Sequence, residues 1–447
     1  MKQTWGKAQQ TGTALALVGM MAAMLAACGG KAAEENGGTT APAPTPAESA
    51  KPVKLQVLIP GGVNMDWFMD RYGKSIQAKY PHYSFEVIES TGNIAQTIVT
   101  EKRKIDLMIG SFATYRNQFK PFELVADMSD LVQKNKFDLN KIEPAYLEMI
   151  RNLDGGKLSG LPLYDLGLLL YYNKDIFDKF GVPYPTDNMT WESLVGVATR
   201  LTRNEGGVQY RGFVTDPSHL VIGNQLSLGF VDAKGEKASL NTDAWKQYID
   251  TMVPLYKMAG YDVTKEMITG TAIKNAFFKE KSSAMFVMYN SDAPKPDEGI
   301  NWDAVSLPEL KGAPGIGSQP YPVYISVSSL SENRDDAFNV IAHLLSDEVQ
   351  TKLSSDFAQI SPLKNDQVKA AFGKSVAQWQ GKNIAAIKAK KPASPPAYVG
   401  EYNNFGQSAA ANAMRSVIVG EKDVNTALRD ADEEVNKKIE EAKAMKK

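Results

Sequence analysis

Cysteine occurs once and histidine three times, as His82, His219 and His343, in a chain of 447 residues. A lone cysteine excludes an intramolecular disulfide framework and any thiolate-rich zinc or iron–sulfur site. Three isolated histidines exclude a histidine-built metal centre. Charge of one sign is also missing: 50 Lys and Arg balance 51 Asp and Glu, a net charge of −1. Such a balance leaves no electrostatic footprint for nucleic acid or an anionic membrane surface. G-x-S-x-G and H-E-x-x-H are absent. Gly155-Gly156-Lys157-Leu158 lacks the Ser/Thr of a phosphate loop, and Gly373-Lys374-Ser375 has Val368 where the leading glycine belongs. What remains is 43% hydrophobic and 23% charged, the composition of a soluble globular protein long enough for two or three domains.

The single cysteine closes a leader. Lys2 and Lys7 precede a short apolar run over 11–27, which is too small-residued to persist as a membrane helix. The run ends in Leu25-Ala26-Ala27-Cys28-Gly29, which resembles the lipobox of bacterial lipoproteins. Residues 1–27 are then a signal peptide, and Cys28 carries the lipid. Each buried acyl methylene contributes about 0.8 kcal/mol, so two chains anchor stably where one does not. Residues 29–51 are Gly, Ala, Pro, Thr and Glu with no large apolar side chain; with Cys28 they make an acylated, disordered tether over 28–52. The expected location is the extracytoplasmic face of the cell membrane.

From residue 53 the pattern is α/β. Val53, Leu55, Val57 and Ile59 alternate in a strand that runs into Pro60-Gly61-Gly62. A helix is predicted over 66–79, a strand over 84–89, a helix over 94–103 and a strand over 105–109. This order is that of a parallel sheet with crossover helices. Residues 157–175 read as one continuous extended ribbon. Helical patterning returns over 335–345 and again from Asp356. The last helix carries Val424, Leu428, Ala431, Val435 and Ile439 on one stripe, with Asp423 as its N-cap.

Mid-chain motifs are more specific: Gly160-Leu161-Pro162, Leu170 to Phe177 (LYYNKDIF), Gly181-Val182-Pro183 and Thr190-Trp191-Glu192-Ser193-Leu194. Further fragments follow in order at 232–260, 276–285, 301–308 and 331–357. Together they resemble family-1 extracellular solute-binding proteins, the ligand-capturing lipoproteins of ABC importers related to maltodextrin-binding proteins. The resemblance covers roughly 53–440. It implies two intertwined α/β lobes joined by a hinge of crossing segments, a type II periplasmic-binding-protein-like fold. The crossings map near Tyr164-Asp165, Gln319–Pro322 and Gln359–Pro362. The N-terminal lobe would be 53–164 plus 322–359, and the C-terminal lobe 166–319 plus 362–447.

Ligand sites in open α/β sheets gather beyond the carboxyl ends of strands. The candidate loops there supply Asn64, Asp66 and Trp67; Ser111 and Phe112; Tyr164 and Asp165; Tyr289, Asn290 and Asp292; Gln319 and Tyr321; and Asn404 and Phe405. Aromatic planes cover the apolar faces of a sugar, while carboxylates and amides take its hydroxyls. Sugar-binding members usually carry a Trp where this chain has Tyr289-Asn290-Ser291-Asp292. Trp191, Trp245 and Trp302 fit structural positions and are left out of the site. The resemblance implies a monomer capturing an oligosaccharide for a membrane permease, with no cofactor and no catalysis. Two alternatives remain at this point. One is a secreted glycoside hydrolase using Asp66, Asp165 or Asp292, and the other is a ligand-sensing lipoprotein for a membrane receptor.

Overall fold

The computed structural model describes residues 51–88 and 94–445. The leader, Cys28 and the tether up to residue 50 lie outside the described residues. Two sheets organise the chain into two α/β lobes. The first sheet holds β1 (Val53–Leu58), β2 (Tyr83–Ile88), β3 (Leu107–Ser111) and β4 (Leu161–Asp165). The strand β5 (Leu168–Asn173) opens the second sheet, and β6 (Arg203–Glu205) with β7 (Val208–Tyr210) forms a small hairpin. Next come β8 (Met285–Tyr289) and β9 (Trp302–Ser306), and then β10 (Pro322–Val327) returns to the first sheet. The strand orders are β2-β1-β3-β10-β4 and β8-β5-β9.

β1 pairs parallel with both β2 and β3, as the alternating sequence pattern predicts, while β10 runs antiparallel between β3 and β4. All six residues of β10 and all six of β5 are buried, because helices cover both sheet faces. The first core includes Leu55, Val57, Ile109, Leu163, Ile325 and Phe338. The second sheet separates two clusters. One gathers Leu170, Trp191, Trp245 and Met414, and the other Tyr171, Phe286, Trp302 and Trp379.

Three sequence expectations need correction. The ribbon over 157–175 breaks at Leu166-Gly167, so that β4 and β5 belong to different sheets. Their local pattern is the same, because both strands are buried on both faces. The helix expected from Asp356 instead ends there: Ser346 caps a helix over Asp347–Phe357, and Ala358 turns left-handed at φ +50°. Pro362 then keeps the following segment extended. The helix expected over 66–79 is present but carries a π-turn at Met69–Gly73 between Met65–Phe68 and Lys74–Lys79. A matching π-turn at Tyr115–Phe119 interrupts the helical run that follows β3. Such turns re-aim the side chains they carry and recur at functional sites; here they carry Arg71 and Arg116.

Candidate functional site

The three crossing segments meet at Asp165. Its backbone N–H donates to the Ile360 carbonyl at 2.9 Å, and its carboxylate accepts from the Tyr321 N–H at 2.9 Å. The Leu166 N–H reaches the Tyr321 carbonyl at 3.2 Å. Burial pushes the Asp165 carboxyl up to about 6, partly offset by the Tyr321 and Leu166 amides and the Tyr146 hydroxyl. Alternation along the extended chain puts neighbours on opposite sides of the crossing. Tyr164 and Leu166 line a cavity of about 350 Å³ together with Trp67, Arg71, Asn290, Phe357, Gln359 and Trp379. Asp165 lines a different cavity of about 280 Å³ with Tyr146, Gly167, Ile360 and Lys390. Asp165 is therefore a hinge carboxylate that faces a different cavity from Trp67 and Tyr164.

On the first lobe, Gly61 and Gly62 turn the chain with φ of +104° and +75° after β1, conformations that L side chains rarely adopt. Asn64 then caps the next helix by accepting from the Trp67 N–H at 3.0 Å. That cap sets the Trp67 ring against the first core and edge-on to Tyr72, at 5.8 Å. The Arg71 guanidinium is held between the Trp67 ring at 4.6 Å and the Phe357 ring at 4.5 Å. Asp66 is exposed and lines neither cavity. Ser111 is used as the cap of the helical run after β3, accepting from the Thr114 N–H at 3.3 Å.

On the second lobe, Tyr289 lies 5.4 Å from Tyr321 with the rings inclined 33°, and His219 sits edge-on to Tyr289 at 5.4 Å. Behind them is a charged group of which the sequence pointed only to Asp292. Asp216 caps the helix Pro217–Ile222 and pairs with Arg415, which also donates to Ser218 Oγ at 2.7 Å. Lys274 pairs with Asp292 at 2.7 Å. Burial holds the His219 imidazole below its usual range, with Asp216, Asp292, Lys274 and Arg415 around it. The signal for Asp216 was present in Asp216-Pro217-Ser218, a cap followed by a first-turn proline; no local signal marks Arg415.

Between the lobes, Arg116 donates to Asn404 and to Gln407 Oε1 at 3.2 Å, and the Asn404 amide donates to Asn117 at 2.6 Å. Phe112, Arg116, Gln319, Tyr321 and Asn403 line one small cavity there. Gln319 also donates to the Asn224 carbonyl at 3.1 Å. Asn290 ties the hinge, accepting from the Gly167 N–H and donating to the Ala358 carbonyl, both at 3.1 Å. Phe405 stacks on Tyr402 and packs against the second core. Several buried polar atoms in these walls have no hydrogen-bond partner among the described residues: Arg116 Nη1, His219 Nδ1, Gln359 Oε1, Trp379 Nε1 and Asn403 Oδ1. Among the described residues no group of His, Cys, Asp and Glu is placed to hold a metal, and no helix is long and apolar enough to cross a membrane.

Comparison with known proteins places this geometry. A sugar transporter from Rhizobium etli in an open conformation superposes with a TM-score of 0.70 at 23% identity, over 86% of this chain and 99% of that one. MalE, a sugar-binding protein from Xanthomonas citri, gives 0.69 at 15% identity over 88% and 99%. An ABC substrate-binding protein from Listeria monocytogenes in complex with cycloalternan gives 0.66 at 17% identity over 86% and 98%. These likenesses fix the fold. Residues 68–351, more than half of the sequence, match the family model of the bacterial extracellular solute-binding protein, and the chain belongs to that family.

Proposed function

We propose that this protein captures a sugar or oligosaccharide between its lobes and hands it to an ABC permease without chemical change. The observation that carries this reading is the Tyr289–Tyr321 ring pair, flanked by His219 and by buried polar atoms that have no partner among the described residues. Aromatic faces suit the C–H surfaces of a pyranose, and unpartnered donors and acceptors suit its hydroxyls. The structural neighbours include a sugar transporter, a sugar-binding protein and a cycloalternan complex, which supports the same ligand class. Its lobes comprise 53–164 plus 322–359 and 166–319 plus 362–447. Hydrolysis has little support. Asp66 is exposed, Asp165 is engaged by hinge amides and Asp292 is ion-paired to Lys274, so these three do not supply two free carboxylates to one cavity.

A thermal-shift screen of mono- and oligosaccharides tests the reading. A ligand at 100 times its dissociation constant adds about 2.7 kcal/mol of stability, and the sugar should be recovered intact afterwards. Reducing ends that accumulate in proportion to protein would transfer it to the hydrolases. Anchoring is through Cys28, so Cys28→Ser should shift the protein from the membrane fraction to the soluble fraction with an unchanged melting temperature. A variant that stays membrane-bound would remove lipidation as the tether.

A further inference from the structure

The charges of the second-lobe wall cancel in pairs, Asp216 with Arg415 and Asp292 with Lys274. Arg116 is different. It is 4% exposed, and its hydrogen-bond partners are amide oxygens only: Asn117 through Nε, and Asn404 and Gln407 through Nη2. Among the described residues its Nη1 has no partner, and no carboxylate pairs with it. A buried guanidinium left unneutralised is costly, because its hydration is lost and no opposite charge replaces it. Next to it the Asn403 Oδ1, on a residue 2% exposed, is an acceptor with no donor. Arg116 and Asn403 line the same cavity, with Phe112, Tyr321 and Gln407.

We infer that Arg116 receives a carboxylate of the ligand, and hence that the sugar captured is a uronic acid or an oligosaccharide containing one. This deepens the proposed function and rests on its sugar reading. A guanidinium presents two parallel N–H donors that match a planar carboxylate. Nη1 is already free. Nη2 is held by the neutral oxygens of Asn404 and Gln407, which belong to the opposite lobe and withdraw as the lobes part. The cavity holds about 20 Å³, little more than one water, so the carboxylate takes the place of those amides. The unpartnered Asn403 Oδ1 then accepts from the hydroxyl on the neighbouring ring carbon. A carboxylate beside hydroxyls is the arrangement a uronate provides and a neutral sugar lacks.

The test is isothermal titration of the full mature protein with matched disaccharides: galacturonobiose and galactobiose, cellobiouronic acid and cellobiose, and the methyl ester of each acid. At least one acid should bind about a hundredfold more tightly than its neutral and esterified counterparts, the loss expected when a buried charged hydrogen bond goes unmade. Arg116→Gln should erase that preference, the acid and its methyl ester then binding within about threefold of each other, a difference under 1 kcal/mol. Arg116→Met, which suits the apolar Phe112, Met149 and Phe230 around it, replaces it if the glutamine variant does not fold. Neutral sugars binding as well as the acids, unchanged by Arg116→Gln, would overturn the inference and leave the sugar reading intact. Failure of every sugar, neutral and acidic alike, would overturn both.

Discussion

Asp165 lies where three segments cross, and its carboxyl is pushed up to about 6 by burial. Between pH ~4 and ~6 the folded protein therefore holds a proton that the unfolded chain has released. Stability through this group declines as pH rises across that window, by about 3 kcal/mol at most. Urea melts at pH 4.5 and 7 should show the wild type gaining on Asp165→Asn at the lower pH. Parallel profiles would mean the carboxyl is not the group that titrates there. Trp67 is only half-buried, set between the first core and the cavity it shares with Arg71 and Tyr164. Trp67→Ala should thus cost less stability than the ~3–5 kcal/mol of a fully enclosed Trp, while lowering ligand affinity about tenfold, or ~1.4 kcal/mol. Melting temperature and affinity measured on the same variant separate the two effects; full affinity with a large melting loss would assign it to the core alone. Such single residues were partly legible in the sequence. The loops after strands named Trp67, Tyr289 and Tyr321, and the fold sets Tyr289 against Tyr321 and Trp67 beside the cavity lined by Tyr164. They could not tell Asp165 from Tyr164, because adjacent residues of an extended segment face opposite ways and the sequence does not say which way is in.

Elements were more legible than sites, because periodicity is local. The last helix, Val424–Met445, buries Leu428, Ala431, Val435 and Ile439 on the expected stripe. Asp423 caps it, accepting from the Asn425 and Thr426 N–H groups at 2.9 and 3.1 Å. Asp423→Ala should cost about 0.5–2 kcal/mol, read as a lower urea midpoint with an unchanged slope; a cap of no consequence would leave the midpoint in place. Breaks between elements were less legible. β4 and β5 are both apolar and extended, and only tertiary pairing divides them between sheets. The π-turns that aim Arg71 and Arg116 leave no periodic signature, since one extra residue per turn is lost within a short helix. Arg116 and Asn404 meet across 288 positions of sequence, a juxtaposition that no spacing motif encodes.

At the scale of the molecule, polar bonds tie the lobes together at several places, among them Arg116 to Asn404 and Gln407, Asn117 to Asn404, Asn152 to the Pro396 carbonyl, and the Lys369–Glu143 ion pair. Bonds of this kind contribute about 0.5–1.5 kcal/mol each, enough to bias an open–closed balance without locking it. The double variant Asn404→Ala with Gln407→Ala should raise the radius of gyration of ligand-free protein in small-angle scattering, and saturating ligand should lower it. An unchanged radius would show that other contacts hold the lobes.

The strand order of the first sheet also governs when the chain can fold. β10 is inserted between β3 and β4, and among the described residues β4 has no other strand beside it. Residue 165 therefore waits for residue 322 before its edge is satisfied, and the second core waits for the helix that ends at Met445. A growing chain closes such distant pairings late, since their loop entropy must be met before any contact rewards it. Neither lobe can be completed from the N-terminal half alone: the first needs the chain through β10, and the second needs the helix Val424–Met445.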